Sequence, residues 1–188
     1  MAYYIMWAGA QTPGERTRRL EGGRWGGLEA GAFEDGIKLK PAPTVPIEID
    51  TFEKDTGDMP PVFVVPSLVV RKDFAQALKD SGVTNVDYYP AVIHDRKRGV
   101  EWDDYLVANV IGMMDVIDKK KSIRSPNSPP TIAMLFEKMV IDPKKCKGQN
   151  LFRLAARPNL IVVSERVRDR VVSLNFQYVR FVAPEDFA

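Results

Sequence analysis

The side chains that could carry out chemistry are few in this sequence. His94 is the only histidine and Cys146 is the only cysteine, so no zinc site of familiar ligand spacing can be assembled. A Ser-His-Asp site would need His94 as its base and either Ser67 or Ser164 as its nucleophile. Both serines directly precede helical patterns, where a side-chain oxygen is expected to cap the helix. We therefore predict helix capping for the two serines and no catalytic residue.

A second candidate chemistry uses carboxylates. Asp115 and Asp118 stand three residues apart in a predicted helix, so they could share a divalent ion with His94 as a further ligand. Both lie off the apolar stripe of that helix, which favours a solvated or salt-bridged face. The enzyme hypothesis requires the three side chains to converge in one pocket. We expect neither a metal nor any other cofactor.

Residues that could bind a partner lie in two polar segments. The glycine-rich segment from Glu21 to Leu28 lacks both phosphate-loop patterns and carries an arginine and a tryptophan. The second segment is a charged turn that follows a predicted strand. Arginine and aromatic side chains on exposed loops are good interface anchors. The predicted partner contacts are Arg24, Trp25, Asp95, Arg96, Arg98 and Trp102, with the alternative that Trp25 pins its loop to the core.

Composition indicates a globular protein with no strong electrostatic bias. The 188 residues are 45% hydrophobic and 28% charged, and the net charge is +2. A net charge this small gives no overall electrostatic attraction to nucleic acid or to a membrane, so neither is an expected partner. A lone cysteine is typical of a reducing compartment, and the first residues lack the pattern of a signal peptide. A cytoplasmic location is expected.

Two segments share the pattern of a buried strand, a serine, an amphipathic helix, a glycine or asparagine stop and a second strand. The first runs from Val62 to Pro90 and the second from Leu160 to Pro184. In each, the apolar stripe of the helix begins three residues after the serine. We expect each copy to supply a pair of parallel strands joined by a right-handed crossover.

Between the copies, Trp102 to Lys121 predicts one long amphipathic helix. Its apolar residues follow i, i+4, i+7, i+11 spacing at Leu106, Val110, Met113 and Ile117. Lys119 to Lys121 would complement the negative end of the helix dipole. Further strands are expected at Tyr3 to Trp7, Ile132 to Ile141 and Leu151 to Leu154. The sequence therefore predicts an α+β fold with a mixed sheet.

The whole chain, residues 1–188, is expected to form a single domain in which the content of helices and strands differs between the first third and the rest. Nine of the 13 glycines lie in residues 1–61, which predicts an irregular, strand-poor first third rich in glycine and proline. Short extended pieces are expected there at Gly36 to Leu39 and Val45 to Ile49. The regular α+β core is expected to span residues 62–188.

The order of these segments resembles polymorphic-toxin immunity protein family eleven, formerly a domain of unknown function. The resemblance covers nearly the whole chain. The residues that carry it are Tyr3 to Met6, Phe63 to Ser67, Val86 to Pro90, Tyr105 to Asn109, Asp115 to Asp118 with Ser122, Met139 to Asp142, Asn150 to Leu154, Ile161 to Ser164 and Val179 to Phe181.

The resemblance implies a non-catalytic bacterial protein that binds and neutralises a cognate toxin encoded by a neighbouring gene. Such a role needs a preformed surface and no cofactor. Besides the metal-dependent enzyme, a homo-oligomeric regulatory domain stays open, in which one repeat edge would pair with its copy in another chain. The oligomeric state and the toxin's chemistry are not encoded in the sequence.

Overall fold

The computed structural model describes residues 1–9, 15–21, 24–129 and 134–187. In this part of the chain the fold is of the α+β class, with two five-stranded mixed sheets and two nine-residue α-helices. The strands are β1 (Tyr3–Ala8), β2 (Arg24–Trp25), β3 (Leu28–Glu29), β4 (Ile47–Asp50), β5 (Val62–Phe63), β6 (Val69–Arg71), β7 (Val86–Asp95), β8 (Val100–Val110), β9 (Met113–Met114), β10 (Ile123–Arg124), β11 (Phe136–Lys138), β12 (Leu151–Leu154), β13 (Arg157–Ser164) and β14 (Val179–Val182); the helices are α1 (Lys72–Asp80) and α2 (Glu165–Ser173).

The two large sheets each contain one parallel pair of strands. Sheet one has the order β14-β1-β13-β12-β9, and only β12 and β9 run parallel. Sheet two has the order β4-β7-β8-β6-β5, and only β4 and β7 run parallel. The strands expected at Tyr3 to Trp7 and Leu151 to Leu154 are confirmed.

Each large sheet contains a strand-helix-strand unit whose two strands are parallel but not neighbours. In β6-α1-β7, both strands pair antiparallel with β8, which lies between them. In β13-α2-β14, both strands pair antiparallel with β1. The expected pairing of neighbouring parallel strands is therefore wrong. An antiparallel strand from elsewhere in the chain occupies the middle position in both units.

The helices end where their sequences predict, but the first begins later. The left-handed backbone of Gly82 (φ +81°) and of Asn175 (φ +52°) follows α1 and α2. Helix α1 begins at Lys72 because Asp73 pairs with Arg71 and accepts the Phe74 N–H at 2.7 Å. The predicted capping role of Ser67 is wrong, since it lies well before the helix.

The predicted long helix from Trp102 to Lys121 is also wrong. This stretch forms β8, β9 and a turn over residues 119–121. Alternate side chains of β8 enter two different cores, Tyr105 and Val107 on one face and Ala108 and Val110 on the other. With both faces apolar, the strand lacks the alternation that identifies half-buried strands, and a helical spacing appears by coincidence.

The first third of the chain contains more regular structure than expected. It supplies β1 to sheet one, β4 to sheet two, the small β2–β3 ladder and a 3-10 helix from Ala30 to Glu34. The extended piece expected at Val45 to Ile49 appears as β4, which begins two residues later and ends one residue later, whereas Gly36 to Leu39 contains no strand. Of the strand expected at Ile132 to Ile141, only β11 and an isolated bridge at Ile141 form; residues 132 and 133 lie outside the described part.

Three hydrophobic clusters hold these elements together. The first lies between the helices and both large sheets and includes Phe74 and Leu78 of α1 with Val167 and Val171 of α2. The second covers the other face of sheet two, and the third covers the other face of sheet one. Neither helix in the described residues is long and apolar enough to cross a membrane.

Candidate functional site

The candidate site is built at the tip of the long hairpin formed by β7 and β8. Asp95 pairs with Val100 across the end of the hairpin, and residues 96–99 make the turn. Gly99 adopts a left-handed backbone (φ +64°), which a residue without a side chain reaches at no steric cost. The turn therefore holds Asp95, Arg96 and Arg98 at one end of sheet two.

Asp95 is the buried centre of this tip. Its side chain is 1% exposed and accepts hydrogen bonds from Arg18 Nη1 at 2.5 Å and Arg98 Nη1 at 2.7 Å. The backbone N–H of Arg98 donates to the other carboxylate oxygen at 3.1 Å. Burial raises the pKa of Asp95, but the hydrogen bonds from Arg98 and Arg18 outweigh it and leave the pKa below its ordinary value.

The two arginines connect the hairpin to distant segments. Arg18 and Arg98 each donate to the backbone carbonyl of Asp55 at 3.2 Å. The Arg18 guanidinium also lies over the ring of Trp102, 5.2 Å from its centroid, in a cation–π contact. Residues 15–21, residues 51–58 and the hairpin tip thus form one ion-paired cluster, which we call the hairpin-tip cluster.

Arg19 closes the same cluster from the solvent side. Its guanidinium makes two hydrogen bonds to the carboxylate of Asp55, at 3.0 and 2.9 Å, and its backbone N–H makes a third at 3.0 Å. Hydrogen bonding from Arg19 holds the pKa of Asp55 below its ordinary value. The loop over residues 51–58 is therefore fixed against the segment before it.

The predicted contact residues differ in how they could reach a partner. Arg96 is 64% exposed and pairs with Asp50 at 2.8 Å, and Arg98 is 33% exposed. Trp102 is partly buried, and Asp95 is buried. The tip thus brings Asp95, Arg96, Arg98 and Trp102 together, with Arg96 as its most accessible member.

Trp25 is not exposed, so it does not fit the role of an interface anchor. Its side chain is 2% exposed and packs against Phe33, with ring centroids 6.3 Å apart, inside the second core cluster. Of the two alternatives for this residue, the structure places it in the core. The backbone of Arg24 forms the first residue of β2, next to Trp25. The side chain of Arg24 lies outside the described part of the chain, as do Gly22 and Gly23.

Sequence reasoning missed Arg18, Arg19 and Asp55. The only local signal is the basic run from Arg16 to Arg19 in a segment without periodicity. Its partners lie 37 and 77 positions further along the chain. A basic run indicates that acidic partners exist, but it does not identify them.

Three residues of the two catalytic hypotheses make other polar contacts, whereas the buried hydroxyl of Ser67 has no hydrogen-bond partner in the described part of the chain. His94 Nδ1 lies 2.9 Å from a carboxylate oxygen of Glu101, and Asp118 accepts backbone N–H groups of its own turn. Ser164 precedes α2 as expected, but its hydroxyl donates to Asn150 at 2.9 Å and makes no cap. Within the described residues, no group of three or more His, Cys, Asp or Glu side chains could hold a metal ion.

Comparison with protein families decides the relationship. The model of the immunity protein family Imm11 matches residues 50–186, which is well over half of the chain. The chain belongs to this immunity protein family. Imm11 membership supports a role in toxin immunity, as the resemblance of its segments implied. No curated protein matches the sequence.

The Imm11 match covers the whole hairpin of the tip cluster and both helices, but it begins after β1 and after Arg18. The hairpin side of the cluster, including Asp95 and Arg98, thus lies within the matched region, and Arg18, the other arginine that pairs with Asp95, lies before it. In this chain, residues before the matched region complete sheet one through β1 and the hairpin-tip cluster through Arg18.

Proposed function

We propose that this protein neutralises a cognate toxin of a polymorphic toxin system by binding it, without catalysing a reaction. The Imm11 match over residues 50–186 carries the proposal. Binding needs a rigid surface, and the hairpin-tip cluster offers one, because ion pairs from three segments hold the turn in place. A preformed surface loses little conformational entropy on association, which favours tight binding.

The toxin is proposed to be the product of a neighbouring gene and to contact the exposed side of the tip. Arg96 and Lys97 are exposed basic side chains of the turn, at 64% and 55% exposure. Arginine is enriched among residues whose truncation weakens protein interfaces. A standard interface of about 800 Å² per partner would extend well beyond these two side chains.

The test is co-purification and co-expression with the product of the adjacent toxin gene. We expect a complex that survives size exclusion, and growth of cells that make both proteins. R96A is expected to weaken binding by about 1–2 kcal/mol, some five- to thirtyfold in Kd, without a change in thermal midpoint. Size exclusion with light scattering of the free protein separates a monomer from the homo-oligomer alternative.

Two results would contradict the proposal in different ways. An intact wild-type protein that neither binds nor protects would remove the immunity role. Wild-type protection with R96A fully active would keep the role and move the contact surface away from the hairpin tip.

A further inference from the structure

A short sequence repeat pairs with itself beside the third core cluster. Residues 116–121 read Val-Ile-Asp-Lys-Lys-Lys and residues 140–145 read Val-Ile-Asp-Pro-Lys-Lys. Ile117 and Ile141 form an antiparallel bridge. The Asp118 N–H donates to Val140 O, and the Asp142 N–H donates to Val116 O, both at 2.8 Å. The two copies of Val-Ile-Asp-x-Lys-Lys are therefore related by a local twofold arrangement.

In both copies the aspartate shapes a turn with its side chain. Asp118 Oδ1 accepts the N–H of Lys120 at 3.0 Å, and Asp142 Oδ1 accepts the N–H of Lys144, also at 3.0 Å. The isoleucine of each copy is buried in the third core cluster, while Lys120 and Lys144 are exposed. Each carboxylate thus accepts hydrogen bonds from its own turn. Lys120 and Lys144 point into solvent, whereas Lys145 Nζ donates to Ile117 O at 3.0 Å.

These twin lysine turns, residues 118–121 and 142–145, concentrate positive charge. Residues 115–147 contain eight lysines and arginines against four acidic residues, a net +4, so the rest of the chain carries −2 of the total +2. The ion pairs there are long: Lys119 to Asp115 is 3.9 Å and Lys121 to Asp118 is 3.8 Å. Within the described residues, Lys120 and Lys144 have no ion-pair partner.

The folded structure accounts for only part of this concentration of charge, because Lys145 donates to Ile117 O while Lys120 and Lys144 have no ion-pair partner within the described residues. The sequence pattern suggested that Lys119 to Lys121 complement a helix dipole, but the structure has a turn there and no helix. Like charges held close together repel and destabilise a compact state. Binding to an acidic partner therefore explains such a cluster better than stabilisation of the fold does.

We infer that the twin lysine turns form an electrostatic docking surface for an acidic face of a partner protein. The inference rests on the proposed toxin-binding function, but it does not depend on the hairpin tip being a contact. Two aliphatic side chains close to these turns in the fold are exposed: Ile123 in β10 at 52%, and Leu135, just before β11, at 38%. The exposed aliphatic side chains favour a protein surface over duplex DNA, because binding to a duplex depends mainly on contacts to phosphates.

The test reverses the equivalent charge in each turn, in K120E/K144E. The matched control is K38E/K40E, which makes the same change at two exposed lysines outside the turns. Both variants have a net charge of −2. The probes are the purified product of the adjacent toxin gene and a duplex DNA competitor. At about 0.05 M salt we expect K120E/K144E to bind the toxin at least tenfold more weakly, mainly through slower association, and K38E/K40E to bind like the wild type.

The outcomes separate this inference from the proposed function. Equal binding by both variants, or equal weakening of both, would overturn the docking surface while leaving the immunity role intact. Displacement of the toxin by duplex DNA would overturn the choice of a protein partner. A wild-type protein that does not bind the toxin would remove the proposed function and the inference with it. Since neither lysine side chain makes a hydrogen bond or an ion pair within the described residues, the thermal midpoints should not change.

Discussion

At the scale of single residues, Asp95 is the side chain on which the hairpin-tip cluster depends. It is almost completely removed from solvent and is neutralised by Arg18 and Arg98. A buried carboxylate of this kind is stable only while its partners are in place, because a charge without a partner is costly to bury. The same pairing places Arg18 over Trp102 and fixes the position of Asp55.

We expect D95N to lower the thermal midpoint by several degrees. The substitution keeps the size of the side chain but leaves two arginines beside a neutral amide. R96A serves as the control, because its side chain is mostly exposed and its loss should not change the midpoint. Equal midpoints for D95N and the wild type would show that the ion pairs do not stabilise the fold.

The acid dependence of stability gives a second measurement on Asp95. Its pKa is lowered in the folded protein, so its contribution is present above about pH 4, the pKa of an unfolded aspartate, and is lost as the pH falls through the folded-state pKa. Thermal midpoints of the wild type and D95N should therefore converge as the pH falls from 7 toward 2. A constant difference across this range would contradict the assignment.

Local sequence reasoning located one side of the hairpin-tip cluster and not the other. A charged turn after a strand was enough to predict that Asp95, Arg96 and Arg98 lie together, whereas their contact with a partner stays a prediction. The arginine before it in the chain was not predictable, because an ion pair across 77 positions depends on the finished fold. Trp25 shows the converse case, since glycine neighbours suggested an exposed loop while the size of its ring favoured burial.

At the scale of elements, close backbone contact joins residues 51–58 to the segment before them. Two backbone hydrogen bonds join the segments. The Arg18 N–H donates to Asp58 O at 2.9 Å, and the Asp58 N–H donates to Arg16 O at 3.0 Å. A Cβ atom at Gly57 would lie 2.1 Å from Arg16 O, which no side chain tolerates. The loop can approach this closely only because Gly57 has no side chain.

We expect G57A to destabilise the protein by about 1–3 kcal/mol, because the two backbones must separate to admit a methyl group. Urea unfolding measures the change. G31A is the matched control: a Cβ there meets no atom within 4 Å, so its effect should stay within about 0.5 kcal/mol. Similar values for the two variants would show that the contact at Gly57 is not tight.

The elements also show where sequence patterns succeed and where they fail. Terminal strands β1 and β14 and both helix stops follow from local residue types, which act over a few positions. Strand β8 was misassigned because its two faces enter two cores, and the period of a strand is visible only when one face is polar. The inserted middle strand of each unit was unpredictable, because pairing partners are set by the global topology.

At the scale of the whole molecule, β1 is the strand that unites the first and last parts of the chain. It lies between β13 and β14 and pairs with both, although it precedes the region that matches Imm11. Without it, two strands of sheet one would lose their shared partner. We propose on this basis that residues 1–188 form one cooperative unit.

A variant that lacks residues 1–9 tests this proposal. We expect it to lose cooperative thermal unfolding and to aggregate, because β13 and β14 would each expose an unpaired edge. Far-UV circular dichroism and light scattering report the two effects. A peptide of residues 1–9 added in trans should restore part of the transition. A deletion variant with the wild-type midpoint would show that the N-terminal strand is dispensable.

The place of β1 also has a consequence for the order of events during synthesis. Its residues are synthesised more than 150 positions before their partners at 161–164 and 179–182. At the usual 5–20 residues per second, this strand waits roughly ten seconds or more before its sheet can close. Sheet two, whose strands end at residue 110, can assemble well before that. Sheet two should therefore form first during synthesis, and sheet one should close later, once β13 and β14 have been made.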